Sequence, residues 1–324
     1  MLNKKLINTD LHLSPLGIGT VHYGTAIPAL EAELQLDTYL DMGGNLIDTA
    51  RVYGDWASDI SGISELVIGN WLTKTRKRNK VIISTKGGHP SINSMHINRC
   101  TPDDIVSDIK ASLKNLQTDY IDLYFLHRDN HLMDVEILLD CLETMVKNGY
   151  IRYYGCSNWS VDRIKAAQAY AKKKSLTGFV CNQVMWSLAD INRSGIQDKT
   201  LALMDSETYN YHKETDLCAM AYSASAGGYF AKKAKGSINN KLIEIYQNEI
   251  NDRIFDELLQ LSNESGISIN CLNLLYIVNQ SFPSIALAAF SNIEQLKDSS
   301  AILTEDYSFN LVKRIGKIKK FITV

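Results

Sequence analysis

The sequence predicts an α/β chain folded as a (β/α)8 TIM barrel with parallel strands. Three observations carry that prediction. Eight short β-rich runs recur along the chain, most of them nearly continuous apolar stretches, as strands covered on both faces of a parallel sheet require. Each run is followed by a longer segment of helical periodicity, and such alternation builds a parallel sheet. Eight repeats of that unit favour a closed barrel over an open doubly wound sheet, the alternative that periodicity leaves standing.

Taken in order, KKLINTDLHLS (4–14) reads as a small N-terminal hairpin closing the barrel floor. SPLGIGT (14–20) is the first strand, and the helix pattern over 28–44 ends in the pair Gly43-Gly44 expected after a helix C-terminus. NLIDTA (45–50) and VIISTK (81–86) are the second and third strands. The next helix is marked at 101–116: Thr101 caps it, Pro102 sits in its first turn, and Asp103 and Asp104 suit its positive end. YIDLYFLH (120–127) leads to a helix over 134–149, and IRYYGCSN (151–158) to one over 159–174. GFVCNQV (178–184), LCAMAYS (217–223) and SIALAA (284–289) complete the strands. The stretch 225–268 is the longest elaboration and, following strand seven, is expected near the mouth. With no Pro- or Ser-rich linker, 1–324 reads as one domain.

Composition narrows the function. With 34 Lys and Arg against 36 Asp and Glu, the net charge of -2 gives no reason to expect nucleic acid or an anionic membrane as partner. No apolar run reaches the roughly 18 residues of a membrane helix, and the N-terminus lacks the apolar core of a signal peptide. A cytoplasmic protein is expected. Cysteines at 100, 141, 156, 181, 218 and 271 are scattered without a CxxC pair, which fits a reducing compartment and speaks against a disulfide framework or a thiolate metal site. His127 and His131 have HxxxH spacing, but His127 ends a strand and no Glu accompanies the pair, so no metal is expected. The basic runs 74–78 and 172–174 read as solvated helix ends. Oligomeric state is left open.

In such a barrel the chemistry gathers at the C-terminal strand ends. Strand two ends in Asp48 with Tyr53 in the following turn, strand three in Lys86, strand four in His127. Strands five, six and seven end in Ser157-Asn158, Asn182-Gln183 and Tyr222-Ser223. Singly, each has an ordinary explanation: a strand-end Asp caps helices, a rim Tyr packs, a Lys is solvated. Jointly they make a device for carbonyl chemistry. A Lys cation lowers the pKa of a phenol, ordinarily about 10, and an Asp holds that cation in place. A neutral His orients a carbonyl oxygen as the phenol protonates it.

At these residues the sequence resembles the aldo-keto reductase family. NLIDTARVYG (45–54), STKGG (84–88), TDYIDLYFLHRD (118–129), IRYYGCSNW (151–159) and AYSASAGGYF (221–230) carry the resemblance, which runs from LGIGT (16–20) to SNIEQL (291–296). It implies an NAD(P)H-dependent reduction of an aldehyde or ketone, sugar-like in one reading, with a tetrad of Asp48, Tyr53, Lys86 and His127. It implies that Ser157, Asn158 and Gln183 hold the nicotinamide carboxamide and that Tyr222 stacks on the ring. Ser223, Ser225 and Gly228 would approach the pyrophosphate, with Thr20, Ser291 and Gln295 completing the cofactor contacts. Tyr23, Trp56 and Trp159 are expected around the substrate. The cofactor is NADP(H) or NAD(H). The run Ala288-Ala289-Phe290-Ser291-Asn292 carries no Lys or Arg before Lys297, where the family commonly grips a 2′-phosphate, so weak discrimination or an NADH preference is expected. The chain also reads Ser223-Ala224-Ser225-Ala226 where many relatives have a Pro. Two other functions fit parts of the pattern: a non-catalytic nicotinamide-binding regulatory subunit, and a Schiff-base aldolase acting through Lys86.

Overall fold

The computed structural model describes residues 3–319. A two-residue antiparallel hairpin, β1 (Lys4–Lys5) and β2 (His12–Leu13), precedes eight strands. These are β3 (Leu16–Gly19), β4 (Leu46–Asp48), β5 (Ile82–Gly87), β6 (Ile121–Leu126), β7 (Ile151–Ser157), β8 (Phe179–Met185), β9 (Cys218–Tyr222) and β10 (Ser284–Ala288). They pair in parallel in sequence order and close through β10 against β3, a (β/α)8 barrel with the expected hairpin. Every strand lies inside the run marked from sequence to within one residue at its C-terminal edge.

Helices wrap the outside. α1 (Ala29–Asp41) follows β3, α2 (Ile63–Thr75) follows β4 and α3 (Pro102–Leu116) follows β5. α3 begins as its sequence requires: Thr101 and Asp104 form a reciprocal capping box. α4 (Val135–Lys147) and α5 (Val161–Lys174) follow β6 and β7, and α6 (Ser206–Thr215) follows β8 after a long loop. The 225–268 stretch is itself helical: α7 (Tyr229–Ala234), α8 (Asn240–Tyr246) and α9 (Glu249–Ser265). Only its first half leans over the mouth. Asn192, in the β8–α6 loop, donates from its backbone and side chain to carbonyls of α8, whereas α9 packs on α10 (Ile269–Val278) in the helical ring. α11 (Ile293–Thr304) and α12 (Phe309–Ile318) complete the chain's described part.

Strand alternation sorts the bore into levels. The hairpin plugs the floor: Leu6, Leu11 and Leu13 share one buried cluster with Leu46, Leu123, Phe125, Cys218, Met220, Ile285 and Leu287. Asp10, between the hairpin strands, takes hydrogen bonds from Arg152 and Tyr153 at the start of β7 and pins it there. β3 leaves room for this filling through Gly17, where a Cβ would lie 2.6 Å from Leu287 and 2.8 Å from Leu46. Two residues above Leu46, Phe125, Cys181 and Met220 the chain turns polar, with Asp48, His127, Gln183 and Tyr222.

Candidate active site

Those positions meet at the mouth. Lys86, on β5, points inward with 1% of its surface exposed, and Asp48, ending β4, is 3% exposed. Lys86 Nζ donates to Asp48 Oδ2 at 2.7 Å, to the Thr49 carbonyl at 2.7 Å and to Tyr53 Oη at 3.2 Å. An ammonium has three protons, and here each has an acceptor. Burial works against this cation, but the Asp48 carboxylate and Tyr53 outweigh it and hold Lys86 above the ordinary ammonium value. The other Asp48 oxygen accepts from Ser84 Oγ at 2.5 Å and from Gln183 Nε2 at 2.9 Å.

Tyr53 departs from the expectation that Lys86 lowers its pKa. Burial pushes the phenol up, the Lys86 cation pulls it down, Asp48 pushes it up again, and the result lies above the ordinary value. The lysine moderates a desolvation it does not overcome. His127 stands edge-on to Tyr53 with ring centroids 6.1 Å apart. Burial, aided by the charge of Arg128, by His89 and by Lys86, holds its pKa well below the usual imidazole value, so the ring is neutral. Its Nδ1 is buried and has no hydrogen-bond partner among the described residues.

The residues matched to the carboxamide site join this network. Asn158 Nδ2 donates to the His127 carbonyl and to Ser157 Oγ, both at 3.1 Å, while its Oδ1 accepts from Tyr222 Oη at 2.7 Å. Asn158 sits at φ 63°, a left-handed conformation that only surrounding bonds sustain in a non-glycine residue. Ser157, Asn158 and Gln183 are all buried, a set of amide and hydroxyl groups at the tops of β7 and β8. Exposed Ser223, half-buried Ser225 and Gly228 follow on the turn from β9 into α7, and exposed Ser291 and Gln295 lie at the head of α11. There the Ser291 N–H donates to Gln295 Oε1 at 3.0 Å. Thr20, fully buried just after β3, bonds the Asp48 carbonyl and Ser64 Oγ of α2.

Of the three residues expected around the substrate, Trp56 is 47% exposed and edge-on to Tyr53 at 6.4 Å. Tyr23 and Trp159 are more deeply placed. Each is 2% exposed and belongs to the packing layer between barrel and helices: Tyr23 donates to Gln35 of α1, and Trp159 stacks edge-on with Phe179. The Trp159 indole N–H donates to the Arg128 carbonyl at 3.4 Å.

Several participants escaped the sequence reading. Ser84 was detectable, since it shares the inward face of β5 with Lys86 at i, i+2. Thr49 acts through its carbonyl, which no side-chain pattern marks. Arg128, which no sequence pattern marked, is 9% exposed and ties the mouth shut on one side, donating to Asp198 and Thr200 of the β8–α6 loop at 3.0 Å each. All six cysteines are free. His131 is paired with Asp129 rather than with His127, and among the described residues no three His, Cys, Asp or Glu groups gather as a metal set. No described helix is long and apolar enough to cross a membrane.

Comparison with known proteins agrees with this architecture. The Aldo/keto reductase family matches residues 15–320. Protein tas of Escherichia coli is 26% identical over 98% of both chains. The uncharacterized oxidoreductase YrpG of Bacillus subtilis is 29% identical over 70% of this chain and 67% of its own. A probable voltage-gated potassium channel subunit beta of Oryza sativa is 27% identical over 94% of this chain and 91% of its own. With the barrel, its floor hairpin and the match across nearly the whole chain, this protein belongs to the aldo/keto reductase family of oxidoreductases.

Proposed function

We propose that the protein reduces an aldehyde or ketone to the alcohol, with Tyr53 as the proton donor and NADPH or NADH as the reductant. The observation that supports this most is the Lys86 ammonium, satisfied by Asp48, Thr49 and Tyr53 at once. The cation is aimed at the Tyr53 phenol.

The residues at the mouth fit a nicotinamide dinucleotide. Buried amides at Asn158 and Gln183 match a carboxamide's donors and acceptors, and Tyr222 offers a ring beside them. The turn at Ser223–Gly228 carries left-handed residues at 223, 226, 227 and 228, and a Cβ at Gly228 would meet nothing nearer than 3.7 Å, so a ligand backbone has room. When bound, the nicotinamide supplies hydride to the carbonyl carbon. Tyr53 delivers the phenolic proton to the carbonyl oxygen. Its raised pKa keeps it protonated at neutral pH, which reduction needs. Lys86 lies where it stabilises the phenolate left behind, and Asp48 keeps Lys86 charged and in place. Neutral His127 donates to the substrate oxygen; because no neighbour holds its Nδ1, that oxygen selects the tautomer with the proton on Nε2.

At the adenosine end Ser291 and Gln295 are exposed and no cation precedes Lys297, so discrimination between NADPH and NADH is weak or favours NADH. Titration of the protein with each nucleotide, followed by tryptophan quenching, checks this alongside turnover of 4-nitrobenzaldehyde. Comparable affinities, or tighter NADH, support the reading, whereas a hundredfold NADPH preference overturns it. A second reading, a nicotinamide-binding regulatory subunit, is favoured by the similarity to the rice channel subunit. Tight nucleotide binding without turnover of any carbonyl would select it. A Lys86 Schiff-base mechanism is disfavoured, because a nucleophilic lysine needs a lowered pKa and a free amine, and Lys86 has neither.

A further inference from the structure

Asn158 follows β7 with φ 63°, a left-handed backbone conformation that persists only where the surroundings hold it. Its side-chain amide has two donor hydrogens and two acceptor positions, and all four are engaged. Nδ2 donates to the His127 carbonyl and to Ser157 Oγ, while Oδ1 accepts from Tyr222 Oη and from the Ala202 N–H at 3.1 Å. Three of these partners stand at the ends of barrel strands. The fourth, Ala202, belongs to the loop 186–205 between β8 and α6.

That loop returns alongside β8, where the Met185 N–H donates to the Ala202 carbonyl at 3.1 Å and the Met204 N–H to the Met185 carbonyl at 3.0 Å. Just before the return, Asp198 and Thr200 form a turn in which Asp198 Oδ1 accepts from the Thr200 N–H at 2.9 Å and from its hydroxyl at 2.6 Å. Buried Arg128 grips this turn, with Nε on Thr200 Oγ1 and Nη2 on Asp198 Oδ2. Its Nη1 donates to the His127 carbonyl at 2.9 Å, the same oxygen that accepts from Asn158. The bonds close a ring: Arg128 to the loop, the loop to Asn158 through Ala202, Asn158 to the His127 carbonyl, and that carbonyl back to Arg128.

The anchor is charged on both sides. Burial works against the Asp198 carboxylate, but Thr200 and Arg128 outweigh it and hold its pKa below the usual value. Shape counts as much as charge. Three nitrogens of one planar guanidinium reach three separate acceptors, which the single point of charge of a lysine does not reproduce. After burial, the charge of Arg128 is the next cause of the lowered pKa values of His127 and His89. A role through charge alone is therefore the rival account, and a lysine would preserve it.

We propose that Arg128 is a positioning residue for the nicotinamide: by anchoring the Asp198–Thr200 turn it holds the Ala202 N–H on Asn158, and so fixes the amide that orients the carboxamide. The proposal rests on the nucleotide-binding part of the reading above. Its test compares the affinities of NADPH and NADH with those of 2′-phospho-ADP-ribose and ADP-ribose, which carry the same adenosine and pyrophosphate but no nicotinamide. In Arg128→Lys, which keeps the charge, the dinucleotides are expected to bind about tenfold more weakly, the size of a buried bond left unmade. The two analogues should bind as before. Thr200→Val removes only the acceptor for Nε and should show a smaller loss of the same kind, which keeps the test open if Arg128→Lys folds poorly. Equal losses for dinucleotides and analogues would mean that the whole mouth had loosened. Unchanged dinucleotide binding in the variants would mean that charge alone is the part Arg128 plays. Either result overturns the proposal. Failure of the unaltered protein to bind any of the four nucleotides would instead overturn the nucleotide reading beneath it.

Discussion

The two ends of the barrel bore are equally buried and chemically opposite. At the floor, Leu6 and Leu13 of the hairpin are fully buried within a cluster of apolar side chains. At the mouth, Lys86, Ser157 and Gln183 are each 1% exposed, yet they are polar or charged. The floor gains stability from its burial, about 25 cal/mol per Å² of apolar surface removed from water. The mouth loses it, because a buried ion pair repays its desolvation only when every remaining bond is made. The bonds are made, down to the third proton of Lys86. The difference teaches that depth of burial says little about role, whereas a costly group held in complete satisfaction marks the place where the fold spends stability on geometry.

If that contrast is sound, substitutions at the two ends separate activity from stability. The largest effect is expected for Tyr53→Phe, which should lower kcat for aldehyde reduction by about 10²- to 10⁴-fold and leave nucleotide affinity and Tm nearly unchanged. Leu13→Ala at the floor is its mirror: a loss of about 2–5 kcal/mol in denaturant unfolding, with kcat retained where the variant is folded. A Tyr53→Phe enzyme with normal kcat would erase the distinction.

Lys86→Met sharpens it. Removing one partner of a buried pair leaves Asp48 charged and uncompensated, at a cost of about 3–5 kcal/mol, and disables reduction. Adding Asp48→Asn removes the orphaned charge and should return much of the stability without returning activity. Recovery of turnover in the double variant would show that the pair is structural.

A smaller, graded effect comes from acid. His89 and His212 have pKa values lowered to about 4, and His127 is held well below the usual imidazole value, in each case chiefly by burial. A histidine depressed in the folded state binds more protons when unfolded. Stability is therefore full above the unfolded value near 6.5 and falls as pH drops from there through about 4. His212, held between Asn182 and the Leu217 carbonyl away from the mouth, isolates the effect. His212→Asn should flatten the slope of unfolding free energy against pH between 6.5 and 4; an unchanged slope would remove His212 from the account.

Much of the fold was legible because its signals are local. The apolar strand runs, the Gly pair after α1 and the capping box of α3 are set by neighbours within a few residues, and they appear where the sequence put them. The tetrad was legible for a related reason: a parallel barrel brings every strand's C-terminal end to one rim, so Asp48, Lys86 and His127 had to converge once the topology was recognised. The deep burial of Tyr23 and Trp159 was not legible, because an aromatic at a strand end can lie open at the rim or pack into the apolar layer, and no local pattern distinguishes the two. The helices α7 to α9, read as one long connection, carry short amphipathic patterns that take meaning only from what they cover.

By itself, then, the sequence determined the strand count, the βα alternation that favours closure and the polar side chains that end the strands, all consequences of period and chain order. Tertiary structure alone decided the rest. Desolvation set the pKa of Tyr53 above its ordinary value against the pull of Lys86, and desolvation depends on every atom packed around the phenol. The Thr49 carbonyl and the latch of Arg128 likewise exist only where loops from different strands meet. Periodicity specifies the direction in which a side chain points; only the folded neighbourhood specifies what it meets there.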